Sequence, residues 1–600
     1  MPTGGGKSIT FQVPALAKDG LCLVISPLIA LMKDQVANLR SRGIKAAAVY
    51  SGMTREEIVV TLDNCIFGGY KLLYISPERL ASDIFRTKLH SMRVSMITVD
   101  EAHCISQWGY DFRPSYLNIA DIRAEVKGVP VLALTATATP EVVDDIQRHL
   151  GFGQTNVIRM SFERKNLAYI VRHESRKMLE IEHILEKVTG PAIVYTRSRR
   201  KTKDIASALT AKGFSTTFYH AGLSSEERNA RQNDWVNDRV RVMVATNAFG
   251  MGIDKPDVRC VIHADVPDSP EAYFQEAGRA GRDGGKAYAV LLWGETDKRK
   301  LDERVDNSFP EKDYVRQVYE HLQYYYQMAM GDGKGCTYPF DIADFCKHFH
   351  HSPLLADSAL RILTRAGHLE YIDEQGFTSR VMILVSRAEL YSVNGWSDEC
   401  ERVVNFMLRT YTGLFSEFVY ISEVLIAQRC SITRDQVYSI LTYLSKRRVL
   451  QYVPGKKTPY IYYTHERREA SRLSIPREVY EDLKESSRSR VKAMQDYGMT
   501  DDCCRSVLLL RYFGERRVSN CGMCDYCLSR HKTGLASGEA EDMVRQVRTM
   551  LEDNGPIETK YLYGKYLDLE RKDKWNQVLN YMLGEGILCQ RDDVLSLSAE

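Results

Sequence analysis

"MITVDEAHC", residues 96–104, is the stretch whose reading decides the fold. The apolar and β-branched run Met96 to Val99 leads straight into two carboxylates, Asp100 and Glu101. A short apolar run without alternation reads as a strand buried on both faces, as in a parallel sheet. A strand that ends in an acid delivers it to the carboxyl edge of the sheet, where ligands bind in open α/β structures. An Asp-Glu pair at a strand end is common on its own, so its meaning depends on what lies around it.

Working outward, the same pattern recurs. "LCLVIS" (21–26), "KLLYIS" (71–76) and "VLALTAT" (131–137) read as companion strands. "AIVYT" (192–196), "STTFYH" (215–220), "RVMVAT" (241–246) and "CVIHAD" (260–265) repeat the set. Amphipathic helical stretches separate them. Strands alternating with helices give α/β architecture with parallel sheets. Two sets give two similar domains, joined near "ERKNLAYIVRH" (163–173).

The partner of the Asp-Glu pair stands at the start of the chain, in "MPTGGGKS" (1–8). Gly4, Gly5 and Gly6 let backbone N–H groups approach phosphate with no Cβ in the way. Lys7 is placed to reach the β and γ phosphates of ATP, and Ser8 to hold Mg²⁺. A helix beginning near Ser8 points its positive dipole end at the phosphates. The full G-x-x-x-x-G-K-[ST] pattern has Gly where Met1 stands, so the match is incomplete. With Lys7 and Ser8 in the same α/β unit, Asp100 reads as a Mg²⁺ ligand, direct or through water. Glu101 reads as the group that orients or deprotonates the attacking water.

A third element lies in the second set of strands, "EAYFQEAGRAGRDGG" (271–285). Arg279 and Arg282 are three apart on a predicted helix, hence on one face. Two guanidinium groups suit the spread negative charge of a phosphoryl transition state. Because Lys7 and Asp100 belong to the first unit, ATP is expected in a cleft between two domains.

Beyond about residue 300 the character changes. "DYVRQVYEHLQYYYQMAM" (313–330) is a helical stretch rich in aromatics. "ALRILTRAGHLEYID" (359–373), "ILTYLSKRRVLQYVPG" (440–455) and "VLNYMLGEGILCQRDD" (578–593) each read as apolar helix, turn and strand. That is the ending of a winged helix; small helical subdomains with no DNA role fit it as well. "SRHKTGLASGEAED" (529–542) is polar with Gly and Ser and reads as a linker.

"CCRSVLLLRYFGERRVSNCGMCDYCL" (503–528) clusters five of the 14 cysteines. Cys521, Cys524 and Cys527 form C-x-x-C-x-x-C, and a fourth thiol from an upstream helix would close a tetrahedral Zn²⁺ site. Cys503 and Cys504 both qualify by periodicity. An iron–sulfur cluster uses similar spacing, though the Cys-Pro ending of ferredoxin-type runs is missing. Arg505, Arg511, Arg516 and Arg517 either contact phosphate or form a solvated basic face. The other cysteines are scattered singly in apolar segments, as in Cys22, Cys260 and Cys346, which suits reduced intracellular thiols.

Composition sets outer bounds. The chain has 600 residues, 44% hydrophobic and 26% charged, which accommodates several globular domains. No stretch approaches the roughly 18 apolar residues of a membrane span, and no basic-then-apolar leader opens the chain. Net charge is +3 from 81 basic and 78 acidic side chains, so any basic groove is local.

Taken together, these motifs resemble superfamily 2 helicases and, more narrowly, the RecQ family of DNA helicases. The resemblance is carried by "MPTGGGKS", "SPLIALMKDQV" (26–36), "DEAHCISQWGYDFRPSY" (100–116), "LTATAT" (134–139), "HAGL" (220–223), "ATNAFGMGIDKPDVR" (245–259) and "QEAGRAGRDG" (275–284). They follow the family's order over roughly residues 1–290. The resemblance implies ATP-driven 3′-to-5′ unwinding of single-stranded and partly duplex DNA, in repair and recombination. It implies catalytic roles for Lys7, Asp100, Glu101, His103, Arg279 and Arg282. Nucleotide contacts are implied for Gly4, Gly5, Gly6, Lys7, Ser8 and Gln275. His103 and Gln107 would link the nucleotide site to Thr135 and Thr137. Trp108, Tyr110, Phe112 and Arg113 match the family's aromatic-rich loop, which stacks unpaired bases and holds phosphate. Cys504, followed by Arg505, matches the first zinc ligand better than Cys503, giving Cys504, Cys521, Cys524 and Cys527.

The implied fold is α/β: two RecA-like parallel-sheet domains, then helical and winged-helix-like modules and a small zinc-binding subdomain. The expected divisions are 1–165 and 166–297 for the helicase domains, 298–480 for an insertion, 481–535 for zinc, and 536–600 for a terminal module. Three departures stand out. About 220 residues separate Arg282 from Cys504, more than typical members have. The tail is short, with no recognisable HRDC module. The strand and Gln-containing segment that precede the phosphate loop in the family are missing, as expected of a late start codon or a fragment. Two alternatives remain: a truncated relic that binds DNA without catalysis, and an RNA helicase. The implied setting is intracellular, cytoplasm and nucleoid in a bacterium or nucleus in a eukaryote. No protein partner is legible.

Overall fold

A computed structural model describes the chain except residues 2–4, 51–52, 54, 107–111, 154, 251–254, 373–378, 387–388, 391–395, 412–413, 416–418, 454–458, 517, 532–536, 560, 563–566, 568–571, 585–586, 592–593 and 598–600.

The first sheet has five parallel strands in the order β2-β3-β1-β4-β5. These are β1 (Leu21–Ile25), β2 (Ala46–Val49), β3 (Leu72–Ile75), β4 (Val94–Val99) and β5 (Val131–Ala133). Every residue of β1 is buried, as expected for a central strand covered on both faces. Its register pairs Leu23 with Leu73 on one side and with Ile97 on the other. All strand ends therefore meet one edge, and Asp100 follows β4 there, its N–H donating to the Ile25 carbonyl at 2.9 Å. β5 lies at the margin of the sheet, and its three residues are half-buried.

The second sheet has six parallel strands in the order β6-β11-β10-β7-β9-β8. These are β6 (Leu167–His173), β7 (Ala192–Tyr195), β8 (Thr216–Tyr219), β9 (Val242–Ala245), β10 (Cys260–His263) and β11 (Ala287–Trp293). The eight strands read from the sequence all form. β2, β6 and β11 add to them, and β6 begins inside the stretch read only as a joint.

The region after residue 300 is organised by nesting. β12 (Thr337–Pro339) and β13 (Leu369–Ile372) both pair antiparallel with β17 (Tyr460–Tyr463). Between β13 and β17 runs a second unit of the same kind, with β14 (Arg380–Ile383), β15 (Val419–Tyr420) and β16 (Leu450–Val453). One winged unit is thus inserted into the wing of another. The three helix-turn-strand patterns are the helix Pro353–Arg365 with β13, the helix Arg434–Lys446 with β16, and the helix Lys572–Gly584 with β19 (Leu588–Arg591). A last small sheet orders β19 with β18 (Ile557–Glu558) and β20 (Val594–Leu597) as β18-β20-β19.

Cores follow this hierarchy. A single apolar cluster runs from Leu167 and Phe274 through Val315, Leu360 and Tyr463 to Phe513. It merges the second α/β domain, the outer winged unit and the helices leading to the cysteines. The inserted unit packs around Val403, Val437 and Leu441, and the terminal unit around Val547 and Val578, each with its own core. Among the described residues, no helix is long and apolar enough to cross a membrane.

Candidate functional site: a phosphate loop, an acidic strand end and an arginine loop

Gly6 adopts φ +76°, a left-handed conformation that favours glycine, and the helix Lys7–Ala17 starts immediately after it. Ser8 is half-buried in the first turn. Gly5 is described, whereas Gly4 lies outside the described residues. Lys7 Nζ sits 3.8 Å from Glu101 Oε1. Lys7 at the start of the chain and Glu101 after β4, 94 positions apart, are thereby brought together.

Glu101 has φ +46°, uncommon for a residue with a side chain. Strain of this kind persists where the surroundings over-determine the backbone. Here the Glu101 N–H donates to Asp100 Oδ1 at 3.0 Å, and its carbonyl accepts from the Cys104 N–H at 2.9 Å. The Asp100 carbonyl accepts from the Tyr116 hydroxyl at 2.9 Å. Burial, then the neighbouring Glu101 charge, pushes the Asp100 carboxyl up to about 7, against the pull of Lys7. A buried carboxyl so raised is short of positive charge, and the Asp100 and Ser8 oxygens are the donor set a hard cation takes.

His103 is fully buried and shares a hydrogen bond between Nδ1 and Thr135 Oγ1 at 3.0 Å. The same nitrogen is 3.4 Å from Glu101 Oε2. Thr135 Oγ1 also accepts from the Thr137 N–H at 3.3 Å, and the Thr135 carbonyl accepts from the amino group of Met1 at 3.1 Å. Glu101, His103, Thr135 and Thr137 therefore form one connected set under the phosphate loop. Gln107, Trp108 and Tyr110 lie outside the described residues. Phe112 is half-buried, and Arg113 Nη1 donates to the Pro27 carbonyl at 3.1 Å, tying that end of the segment to "SPLIALMKDQV".

The arginine segment departs from expectation. The helix Pro270–Ala277 ends before Arg279, so the two arginines occupy successive turns rather than one helical face. The reason is local: Gly281 takes φ +62°, the carbonyls of Gly278 and Ala280 accept from Arg164 instead of from a next helical turn, and that of Gly281 is shared between Arg164 and the Gly284 N–H. Arg279 is 3% exposed, and its Nη1 donates to the Gly250 carbonyl. Arg282 is half-buried in the following turn, and Gln275 is half-buried on the preceding helix. Arg164 and Asn166 had no role in the sequence reading, because their partners are backbone carbonyls more than 100 positions away.

At the cysteines, Cys504, Cys521, Cys524 and Cys527 bring their sulfurs within 4.8 Å of one another. Cys504 Sγ and Cys524 Sγ are 3.7 Å apart. A tetrahedral ion with Zn–S near 2.3 Å sets its sulfurs about 3.8 Å apart, so the residues fit zinc. Cys503 falls outside this group. Cys504 is not on an upstream helix but directly precedes the helix Arg505–Tyr512. Backbone N–H groups of Cys521 and Cys527 point at Cys504 Sγ (3.3 Å) and Cys524 Sγ (3.4 Å). Arg505 is no phosphate contact. It is 1% exposed, and its guanidinium holds Asp525 at 2.8 Å and the carbonyls of Tyr497 and Thr500. Arg511 and Arg516 are exposed, and Arg517 lies outside the described residues.

Comparison with known proteins agrees with this layout. A DEAD/DEAH box helicase model matches residues 1–146, and a helicase conserved C-terminal domain matches 176–284. A RecQ helicase winged-helix domain of Bacteroidota matches 381–454, the inserted unit, and a RecQ zinc-binding model matches 466–528. The ATP-dependent DNA helicase RecQ of Bacillus subtilis is 44% identical over 329 residues, 54% of this chain and 56% of that protein. The protein of the same name from Haemophilus influenzae is 45% identical over 298 residues, 50% of this chain and 48% of that one. The chain spans about half the length of the curated relatives it matches. Two helicase domains, a RecQ winged-helix domain and a RecQ zinc-binding domain thus follow one another in a chain that is similar to RecQ helicases.

Proposed function

We propose that the chain is an ATP-dependent DNA helicase. The observation that carries this reading is the convergence of Lys7, Glu101, His103 and Thr135 at one sheet edge. Lys7 and the glycine loop bind the phosphates. Asp100 and Ser8 would hold Mg²⁺, which supplies charge neutralisation between the β and γ phosphates when bound. Glu101 accepts the proton of the attacking water, and its left-handed backbone aims the carboxylate. Arg279 and Arg282, from the second domain, meet the charge that develops on the transferring phosphoryl group.

DNA enters the cycle through residues 107–113. This stretch begins six positions after Glu101 and carries Trp108, Tyr110, Phe112 and Arg113. Base stacking on such rings is worth about 1–3 kcal/mol per base. The Arg113 N–H donates to the Cys104 carbonyl at 2.9 Å, next to His103, which ties the end of the stretch to the nucleotide site. The substrate is single-stranded and partly duplex DNA, unwound 3′ to 5′ in repair and recombination; resemblance to RecQ proteins supports this part.

The test is ATPase of the 600-residue chain with and without single-stranded DNA. DNA-stimulated hydrolysis that Lys7→Ala abolishes is expected. Trp108→Ala should keep nucleotide binding while losing stimulation. DNA binding with no nucleotide binding would show a non-enzymatic relic, and stronger stimulation by RNA would overturn the DNA assignment.

A further inference from the structure

The arginine loop, residues 278–285, is held from outside itself. Arg164 donates from Nη1 to the Gly278 carbonyl (3.3 Å) and from Nη2 to those of Ala280 (2.8 Å) and Gly281 (3.0 Å). Asn166 Nδ2 donates to the carbonyls of Gly281 (2.6 Å) and Gly285 (2.9 Å). The fit is close: a Cβ on Gly281 would meet Asn166 Nδ2 at 2.6 Å and the Gly285 carbonyl at 2.9 Å. Arg164 and Asn166 belong to the segment that joins the two parallel sheets.

That segment is in turn gripped by the zinc module. Glu515 accepts from the Phe162 N–H at 2.6 Å and from the Ser161 hydroxyl at 2.8 Å, one with each carboxylate oxygen. Hydrogen bonds to an ionised acceptor are about twice as strong as neutral ones. The Phe162 ring packs 5.0 Å from Phe513 and 5.9 Å from Phe274. Tyr512 donates to Glu271 Oε1 at 2.8 Å, at the start of the helix that leads into the arginine loop. Tyr512 ends the helix that Cys504 precedes, and Phe513 and Glu515 follow directly after it. Short covalent stretches and hydrogen bonds thus lead from Cys504 along its helix to Glu515, on to Phe162, Arg164 and Asn166, and so to the backbone that carries Arg279 and Arg282.

We propose that Glu515, Arg164 and Asn166 are positioning residues for the arginine loop, through which the zinc module sets the rate of ATP hydrolysis rather than nucleotide affinity. This inference rests on the functional reading above. Its physical basis is that the arginines act on charge present in the transition state. A displacement of about 1 Å costs on the order of a hundredfold in rate. Nucleotide affinity resides chiefly in the phosphate loop of the other domain, which Glu515 does not touch.

The experiment compares the full chain with its Glu515→Ala, Glu515→Gln and Arg164→Ala variants. Four quantities are measured: zinc content, affinity for a fluorescent ADP analogue, DNA-stimulated kcat, and hydrogen exchange of amides in 278–285. With Glu515→Ala, zinc and affinity should stay within about twofold, kcat should fall about tenfold or more, and the loop amides should exchange faster. Glu515→Gln should recover part of the rate, since its amide oxygen still accepts from Phe162. Unchanged kcat and exchange in Glu515→Ala would overturn the inference, as would a rate loss matched by zinc loss. If the parent chain hydrolyses no ATP, the proposed function fails by itself. Exchange then decides the linkage: faster loop exchange at constant zinc sustains it, and unchanged exchange refutes it.

Discussion

Lys7 Nζ and Glu101 Oε1 stand 3.8 Å apart, with both side chains largely buried. The pair joins the first turn of the first helix to the end of β4. It sets a cation beside the Glu101 carboxylate at the sheet edge. Glu101→Gln keeps the shape and removes the base. We expect kcat to fall at least about a hundredfold, the usual loss for a general base, with nucleotide affinity retained. Steady-state ATPase beside equilibrium nucleotide binding checks this; retention of half the rate would remove Glu101 from the chemistry.

The four sulfurs are a closed set at the start of the helix Arg505–Tyr512. A closed Cys₄ site supplies folding energy, so metal removal should act on structure first. Cys504→Ser, or treatment with a strong chelator, should release zinc and lower the cooperative melting temperature of the intact chain. Cys503→Ser should do neither. Zinc retained after Cys504→Ser would show that the ligand set is wrong.

Glu423 is 3% exposed in the inserted winged unit. Burial pushes its carboxyl up, but the Ser379 and Tyr452 hydroxyls and the Arg434 guanidinium outweigh that and hold it below its ordinary value of 4.5. A depressed carboxyl contributes stability above its unfolded pKa and loses it as pH falls through the folded one. The inserted unit should therefore keep this contribution above about pH 4.5 and lose it on further acidification. Glu423→Gln should cost about 2 kcal/mol at neutral pH and flatten the acid limb. Hydrogen exchange of the helix Asp398–Thr410 across pH reads both effects. Parallel acid limbs in parent and variant would refute the assignment.

Ile372 and Tyr460 face each other in register where β13 and β17 meet the inserted unit. The unit has its own core, and of its ion pairs outward, Arg448–Asp332 at 3.5 Å is exposed and Arg380–Glu370, at 4.0 Å, is partly exposed and long. Exposed pairs of this kind contribute little. Replacing residues 373–459 by Asn-Gly should close the wing as a two-residue hairpin. The shortened chain is expected to stay folded, with zinc content and ATPase near the parent values. Aggregation or zinc loss would mean that the insertion supports the outer unit.

The strand at 96–99, the acids after it and the phosphate loop were legible because they are local. A buried parallel strand writes itself as an apolar run, and a glycine-rich turn before a helix needs no distant partner. C-x-x-C-x-x-C was legible for the same reason, whereas Cys504 over Cys503 needed the sulfur geometry or the family pattern. β2, with its run of alanines, carried too little apolar signal to be read. The predicted arginine helix failed because Arg164 competes for its carbonyls from outside the segment. The winged units were legible, but their nesting escaped notice because the pairing of β13 with β17 spans the whole inserted unit.

By itself, then, the sequence determined the α/β class, the two repeated sheets, the phosphate and acid motifs and the sulfur triad, all of them carried by periodicity and short spacing. Tertiary structure alone decided that Arg279 turns inward, that Arg505 is buried on Asp525, and that Glu515 reaches Ser161 and Phe162. Those outcomes depend on backbone carbonyls and buried charges from distant segments. Hydrogen bonds of that kind leave no periodic trace in a chain, because any residue can supply the carbonyl.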